Sequence, residues 1–377
     1  MRIGFDVRPF LREETGIGMF FKNLLIELAR IDTQNEYFLF SSSWKDRFLP
    51  SRIPSFKRGY FRDFRIPVRI LNHLWYRFKW PPLDFFFGEK LDLTHSPTPL
   101  LLPGRGKKVI TICDLFFLEP SHLADKEAVR YFAPGLKNSL LKADGIVTIS
   151  HYTKDRILEK FSVDDKKIRV IHLGLDGKNR SDIPPEKLAL VRKKWNLPQN
   201  FLFFVGAVER RKNLINLMAA LNSIRSSGFF LPLVIAGKKG GDTANVLSYI
   251  RDNNLENDVR ILGYVPEEDL PALYKAASVF VFPSLCEGFG LPVLEAMAAG
   301  KPAAVSREGA VPEVAGEAAV YFDPGDPRDI ADKILNILKE PGLRDKLAAA
   351  GPKKAREYRW TITAEETLAF YGWVLEQ

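Results

Sequence analysis

The stretch Pro283-Ser-Leu-Cys-Glu-Gly-Phe-Gly-Leu-Pro-Val-Leu-Glu-Ala-Met-Ala-Ala-Gly-Lys-Pro302 decides how this chain is read. Residues 279–283 are a short apolar run that predicts a strand, and a loop carrying Gly288 and Gly290 follows it. Pro292 suits the first helical turn, where its missing N–H costs nothing, and Gly300 with Pro302 beyond it suits the stop, so a helix is expected over 292–299. A glycine loop and a helix N-terminus at the carboxyl end of a strand form the place where parallel α/β folds bind ligands. Free N–H groups there suit phosphate oxygens. Glu287 in the loop and Glu295 in the helix bring two carboxylates to that place. Like charges repel, so these carboxylates are expected to accept hydrogen bonds from hydroxyl groups such as a sugar's. Stabilisation of the helix N-terminus by both is the plain alternative.

Upstream, Phe201-Leu-Phe-Phe-Val-Gly-Ala-Val-Glu-Arg-Arg-Lys-Asn-Leu214 repeats the logic with the opposite charge. A strand over 201–205 runs into Gly206, and a short loop delivers Arg210, Arg211 and Lys212 before the next helix. Cations at a strand end can neutralise charge developing on a departing diphosphate. Solvated basic residues at a helix start are the alternative, but they sit unfavourably in the helix dipole. A third piece, Thr15-Gly-Ile-Gly18, follows a strand over 2–7. Phe21 stands where a dinucleotide fingerprint needs its third glycine, which argues against a dehydrogenase.

Strands and amphipathic helical patterns alternate along the whole chain, as in parallel βαβ units. Further strands are expected at 107–113, 145–150, 231–236 and 259–262. Residues 173–185, with Gly174, Gly177, Pro184 and Pro185, have linker character, and 360–376 reads as an amphipathic helix rich in aromatics. At 377 residues the chain exceeds one domain of ~150 residues, and two α/β halves joined by a linker account for it. Two cysteines, Cys113 and Cys286, lie far apart without metal-ligand spacing, which supports neither a disulfide framework nor a zinc site and fits a reducing cytosol. The start at Met1 reads as a strand and not as a secretory signal, and no run reaches the roughly 18 apolar residues of a spanning helix. A soluble or peripheral protein is expected.

The net charge of +9 has a local expression in residues 56–80, where seven Lys or Arg face one acid, Asp63, with eight aromatics interleaved. That mixture suits a lipid interface, a single-stranded nucleic-acid surface, or a partly buried helix with a solvated basic face. Because the phosphate-type motifs lie elsewhere, a lipid-linked or anionic saccharide partner is favoured over nucleic acid.

Glu287-Gly-Phe-Gly-Leu-Pro-Val-Leu-Glu295 resembles the Glu-x7-Glu motif of the retaining family-4 (group 1) glycosyltransferases, and Gly206 with Arg211-Lys212-Asn213 is similar to their basic diphosphate motif. Ala143-Asp-Gly-Ile-Val-Thr-Ile-Ser150, His172-Leu-Gly-Leu-Asp176, Leu262-Gly-Tyr-Val-Pro266 and Asp92-Leu-Thr-His-Ser-Pro97 extend the resemblance over nearly the whole chain. It implies the α/β GT-B fold: two Rossmann-like, doubly wound parallel-sheet domains with an interdomain cleft. Residues 1–177 would bind the acceptor and 178–359 the nucleotide-sugar donor, with a C-terminal helix at 360–377 packing back on the first domain. Glu287 would contact the donor sugar and Glu295 the ribose. Gly288, Phe289, Gly290 and Leu291 would offer backbone to sugar and phosphate. Arg211 and Lys212 would bind the diphosphate and share the catalytic work with Glu287, while Gly206 lies in the same motif and Val265 against the base. Gly16 and Gly18 would let the first loop approach the phosphates, and no metal or other cofactor is expected.

Many relatives carry a His-Asp pair where this chain has Cys113-Asp114. A thiol is a poor hydrogen-bond partner, so Asp114 is left to face the donor sugar or acceptor, with an ordinary turn residue as the alternative. Similarity to mannosyl-type members, chiefly at 91–103 and 111–120, tilts the donor toward GDP-mannose over UDP- or ADP-sugars. The acceptor would be a saccharide or lipid-linked saccharide, at a cytoplasmic location or on the inner face of the cytoplasmic membrane through residues 56–80. A nucleotide-sugar 2-epimerase and a non-catalytic sugar-nucleotide-binding subunit are the competing functions.

Overall fold

The computed structural model describes residues 1–8, 16–45, 54–119, 126–175 and 183–377. They form two units, one made of Met1–Gly174 with Arg359–Gln377, the other of Leu175–Tyr358. The boundary expected after 177 falls within 176–182, outside the described residues.

Unit 1 carries seven strands: β1 (Arg2–Asp6), β2 (Glu36–Ser42), β3 (Gly59–Phe64), β4 (Leu93–Ser96), β5 (Lys107–Ile112), β6 (Gly145–Thr148) and β7 (Ile168–Val170). Their order is β3-β2-β1-β4-β5-β6-β7, all parallel. Unit 2 carries β8 (Leu202–Val205), β9 (Leu233–Ala236), β10 (Val259–Gly263), β11 (Val279–Phe282), β12 (Ala303–Ser306) and β13 (Val320–Phe322). Their order is β10-β9-β8-β11-β12-β13, again parallel. In each sheet the chain winds outward from its first strand in both directions. Topological switch points therefore fall between β1 and β4 and between β8 and β11, where ligands bind in such folds. Strands covered on both faces read as unbroken apolar runs. Leu202-Phe-Phe-Val205 and Val279-Phe-Val-Phe282 are such runs, and Phe203, Phe204, Phe280 and Phe282 are fully buried.

The helix Trp360–Glu376 belongs to unit 1 and packs on the helix Gly16–Ile31. It buries Trp360, Phe370, Tyr371 and Val374, and two contacts fix it. A Cβ at Gly174 would lie 2.1 Å from the backbone nitrogen of Trp360, so only glycine permits this approach. The buried His95 ring meets the Tyr371 hydroxyl at 2.5 Å through Nδ1 and the Thr111 hydroxyl at 2.7 Å through Nε2. Burial pushes His95 down to about 3, so it holds this position as a neutral imidazole.

Several expectations need correction. The strands β3, β4, β7, β12 and β13 escaped the sequence reading because they are polar, small-residue or short, as in Leu93-Thr-His-Ser96 and Ala303-Ala-Val-Ser306, whereas β2 is a seven-residue strand with a buried apolar run, Tyr37-Phe-Leu-Phe40, that the reading missed. The strand ends expected at 113, 150 and 283 are at Ile112, Thr148 and Phe282. Residues 56–80 are not one helix with a basic face. They hold the half-exposed edge strand β3, the helix Val68–His73 and a π-turn Leu74–Phe78. Trp75 is buried there, whereas Phe78 and Trp80 are more than half exposed. Among the described residues no helix is long and apolar enough to cross a membrane.

Candidate active site

Phe203 pairs with Phe280 across the switch point of unit 2, so the loops after β8 and β11 leave the sheet side by side. Hydrogen bonds join them. The Leu285 N–H donates to the Arg211 carbonyl at 2.8 Å. The Asn213 amide donates to the carbonyls of Pro283 at 3.1 Å and Pro324 at 2.7 Å. Asn213 itself is left-handed, with φ 56°, and turns the chain from the basic turn Arg210–Lys212 into the helix Leu214–Ser226. Asparagine tolerates that conformation better than most residues.

This junction puts opposite charges together. Glu287 Oε1 accepts from Arg211 Nη1 at 2.8 Å and from Lys212 Nζ. Arg211 Nε pairs in turn with Glu209 at 2.8 Å. The side chains of Lys212 and Glu287 are 8% and 13% exposed, so water screens the pair weakly. Burial alone would raise the Glu287 carboxyl, but the charges of Lys212 and then Arg211 outweigh it and hold the group below its ordinary value. Burial lowers Lys212, with Glu287 opposing the shift, and its ammonium also lies 4.9 Å from the centre of the Phe282 ring. The backbone of Glu287 is clamped as well. The Ala310 N–H donates to its carbonyl at 2.9 Å, and a Cβ at Gly309, where φ is 72°, would lie 2.8 Å from the Glu287 nitrogen and oxygen.

The next turn begins the helix Leu291–Ala298, one residue earlier than expected at each end, with Pro292 inside its first turn. Gly290 takes φ 95° at its N-cap, three residues after Glu287, and its carbonyl accepts from the Val293 N–H at 2.9 Å. Gly288, Phe289 and Gly290 are buried, and the Phe289 ring packs on Tyr358 at 5.6 Å. One turn into the helix, Glu295 Oε2 accepts from the Tyr274 hydroxyl at 2.6 Å. Burial, then the charge of Glu295, raise that phenol well above its ordinary value, so Tyr274 remains a donor. The Gly206 N–H donates to Ala236, and the Gly237 N–H to Gly263 at 2.8 Å, which links the ends of β8, β9 and β10. Val265, 6% exposed, follows β10 on the same edge.

Gly206, Arg211, Lys212, Val265, Glu287, Gly288, Phe289, Gly290, Leu291 and Glu295 thus all lie at the carboxyl edge of one sheet. Gly16, Gly18 and Asp114 belong to unit 1. Gly16 opens the helix Gly16–Ile31, which also contains Gly18, and residues 9–15 before it lie outside the described set. Asp114 follows β5 and accepts from the Phe116 N–H at 3.2 Å, as a turn residue does. Burial, then the charge of Asp114, raise the Cys113 thiol, so it stays protonated. Sequence reasoning missed Tyr274, which holds Glu295, and Gly309, which clamps Glu287. Unit 1 has its own hollow of about 280 Å³ at the switch point between β1 and β4. There Arg8 pairs with Asp6 at 2.6 Å, donates to Asn72 at 2.9 Å and lies 4.6 Å from the Trp75 ring centre. Planar polar groups beside aromatic rings suit a polyhydroxylated ligand.

Comparison with known proteins agrees with this arrangement. Residues 189–354 match the profile of glycosyl transferases group 1, and residues 15–178 that of glycosyltransferase family 4. The chain is 32% identical over 278 residues to the O-antigen chain mannosyltransferase B of Escherichia coli, covering 74% of this chain and 73% of that one. It is 30% identical over 280 residues to the O-antigen chain mannosyltransferase RfbU of Salmonella typhimurium, covering 72% and 73%. In structure it resembles a sucrose-phosphate synthase from Thermosynechococcus elongatus, with a TM-score of 0.76, 21% identity and 99% of both chains covered. The chain belongs to the group 1, family 4 glycosyltransferases and has their GT-B fold. It is a nucleotide-sugar-dependent glycosyltransferase, and these relatives do not favour the epimerase or the non-catalytic subunit.

Proposed function

We propose that the chain transfers mannose, with retention, from a nucleoside diphosphate donor to a saccharide or lipid-linked saccharide in surface polysaccharide or glycolipid synthesis, with GDP-mannose the favoured donor. The observation that carries the reading is the junction of Arg211, Lys212 and Glu287 in the loop that leads into the N-terminus of the helix Leu291–Ala298. Two cations and the positive end of a helix dipole suit a pyrophosphate, and both gain in value as negative charge grows on the leaving group. Glu287 is their counter-ion in the free protein. An arriving diphosphate takes over the cations and releases that carboxylate to the hydroxyls of the sugar. Glu295, steadied by Tyr274, accepts from the ribose. The two O-antigen mannosyltransferase relatives support the sugar and the pathway.

A thermal-shift screen against GDP-, UDP- and ADP-sugars tests the donor. The preferred one, at 100 times its Kd, is expected to stabilise the protein by ~2.7 kcal/mol. Glu295→Ala is expected to abolish that stabilisation, while Glu295→Gln, which keeps an acceptor for the Tyr274 hydroxyl, folds normally. A shift that survives in Glu295→Ala removes Glu295 from the donor site.

Unit 1 takes the acceptor in this reading, and the exposed rings of Phe78 and Trp80 beside Arg77 and Lys79 give it a peripheral contact with an anionic membrane face. Binding to anionic vesicles is expected to weaken as salt rises. No binding at low ionic strength would count against the contact.

A further inference from the structure

Unit 2 has a second concavity, of about 650 Å³, at the opposite edge of its sheet from the donor loops. Its wall includes Asn200, Ser278, Lys301 and Pro302, which immediately precede β8, β11 and β12. Helices in a parallel α/β unit run back against the strands, so their C-termini arrive at this edge. Arg192 lies in the last turn of the helix Pro185–Lys194, and Lys275 in the last turn of the helix Leu270–Ala276. Helix C-termini favour cations, which accounts for both. Arg192 is indeed held by the carbonyls of Pro198 and Ala276, each at 3.0 Å.

That explanation stops at Lys301. It lies beyond the helix that ends at Ala298, is only partly exposed, and has no carboxylate within ion-pair distance among the described residues. Burial, then the charges of Lys275 and Arg192, push it down to about 8, so the local field is positive. Arg344 adds a fourth cation to the wall, and the single carboxylate there, Asp345, lies 3.6 Å from Arg344 with its side chain 76% exposed. Phe229 and Phe230 supply an apolar side, and Phe230 is 61% exposed. A partly buried, unpaired cation among like charges is stable only at an electrostatic cost that a bound anion would relieve.

We infer that this cavity is a second anion site, distinct from the donor site, for a small molecule that carries a phosphoryl group on a ring or apolar body. Several converging cations call for a polyvalent anion with more than one acceptor oxygen. The volume exceeds a single phosphate, and the phenylalanines give the remainder of such a ligand a surface to cover.

The experiment measures melting temperature in sodium phosphate and in sodium chloride of equal ionic strength, with sodium acetate as a monovalent control. Because phosphate also suits Arg211 and Lys212, three proteins are compared: wild type, Arg211→Met and the double variant Lys275→Met/Lys301→Met. Phosphate is expected to raise the melting temperature of wild type and Arg211→Met beyond chloride or acetate, and to give the double variant a clearly smaller increment than wild type, with only the Arg211 and Lys212 site left to bind it. Lys301→Arg is expected to keep the wild-type increment. Without phosphate at low salt, Lys301→Met should melt no lower than wild type, since it removes repulsion and breaks no ion pair. Equal effects of phosphate and chloride on wild type, an increment as large in the double variant as in wild type, or one lost only in Arg211→Met would each overturn the inference.

Discussion

Lys212→Met is expected to lower kcat/KM for nucleoside diphosphate release from the sugar donor by about 10²–10³-fold, the range seen when one stabilising donor is removed from a developing anion. Methionine keeps the length of the side chain and its contact with the Phe282 ring, which the ammonium approaches to 4.9 Å. Glu287 keeps a cation, because Arg211 Nη1 still reaches its Oε1 at 2.8 Å. The variant therefore isolates the ammonium charge. Its position argues for a large effect: Lys212 is 6% exposed, and a charge shielded from water acts more strongly on a nearby phosphate than an exposed one. Steady-state rates on wild type and variant, with far-ultraviolet circular dichroism as the check on folding, decide the matter. A loss below tenfold in a folded variant would make Lys212 a structural partner of Glu287 and nothing more.

The donor motifs were legible because each is local. Glycines, a helix start and charges at a strand end can all be read within 283–302 and 201–214, and parallel topology carries them to one edge. What the sequence does not show is pairing at a distance. In the sequence Glu287 is one of two carboxylates suited to hydroxyls, yet in the fold it lies against cations 75 and 76 positions earlier, a contact set by the pairing of β8 with β11. Tyr274, 21 positions before Glu295, has no local sign of its role, since a tyrosine in an apolar helix reads as core. The strands β4 and β12 were missed for a related reason. Thr94, His95 and Ser306 are fully buried although polar, because neighbouring strands and helices enclose them. The cations at the other edge of unit 2 come from four separate segments, each unremarkable in sequence.

Glu287→Gln separates the two roles given to this carboxylate. In the free protein it removes the charge that balances Lys212 and Arg211, and breaking a buried pair costs about 3–5 kcal/mol. Glutamine keeps a hydrogen-bond acceptor, so the lower end of that range is expected in chemical denaturation. The acid side of the stability curve should change in the same sense. Lys212 and Arg211 hold the Glu287 carboxyl below its ordinary value. Its contribution is therefore complete above the usual carboxylate range, near ~4.3, and disappears as the pH falls through the lowered value in the folded state. The variant should lack that part of the acid loss. Nucleoside diphosphate without sugar meets no competing carboxylate in Glu287→Gln, and it should raise the melting temperature of the variant more than that of wild type. Sugar transfer should fall about 10²-fold, because the released carboxylate no longer meets the sugar hydroxyls as the donor reacts. A nucleoside diphosphate shift smaller in the variant than in wild type would show that Glu287 helps to hold the diphosphate, and the exchange of partners at Arg211 and Lys212 would then have to be abandoned.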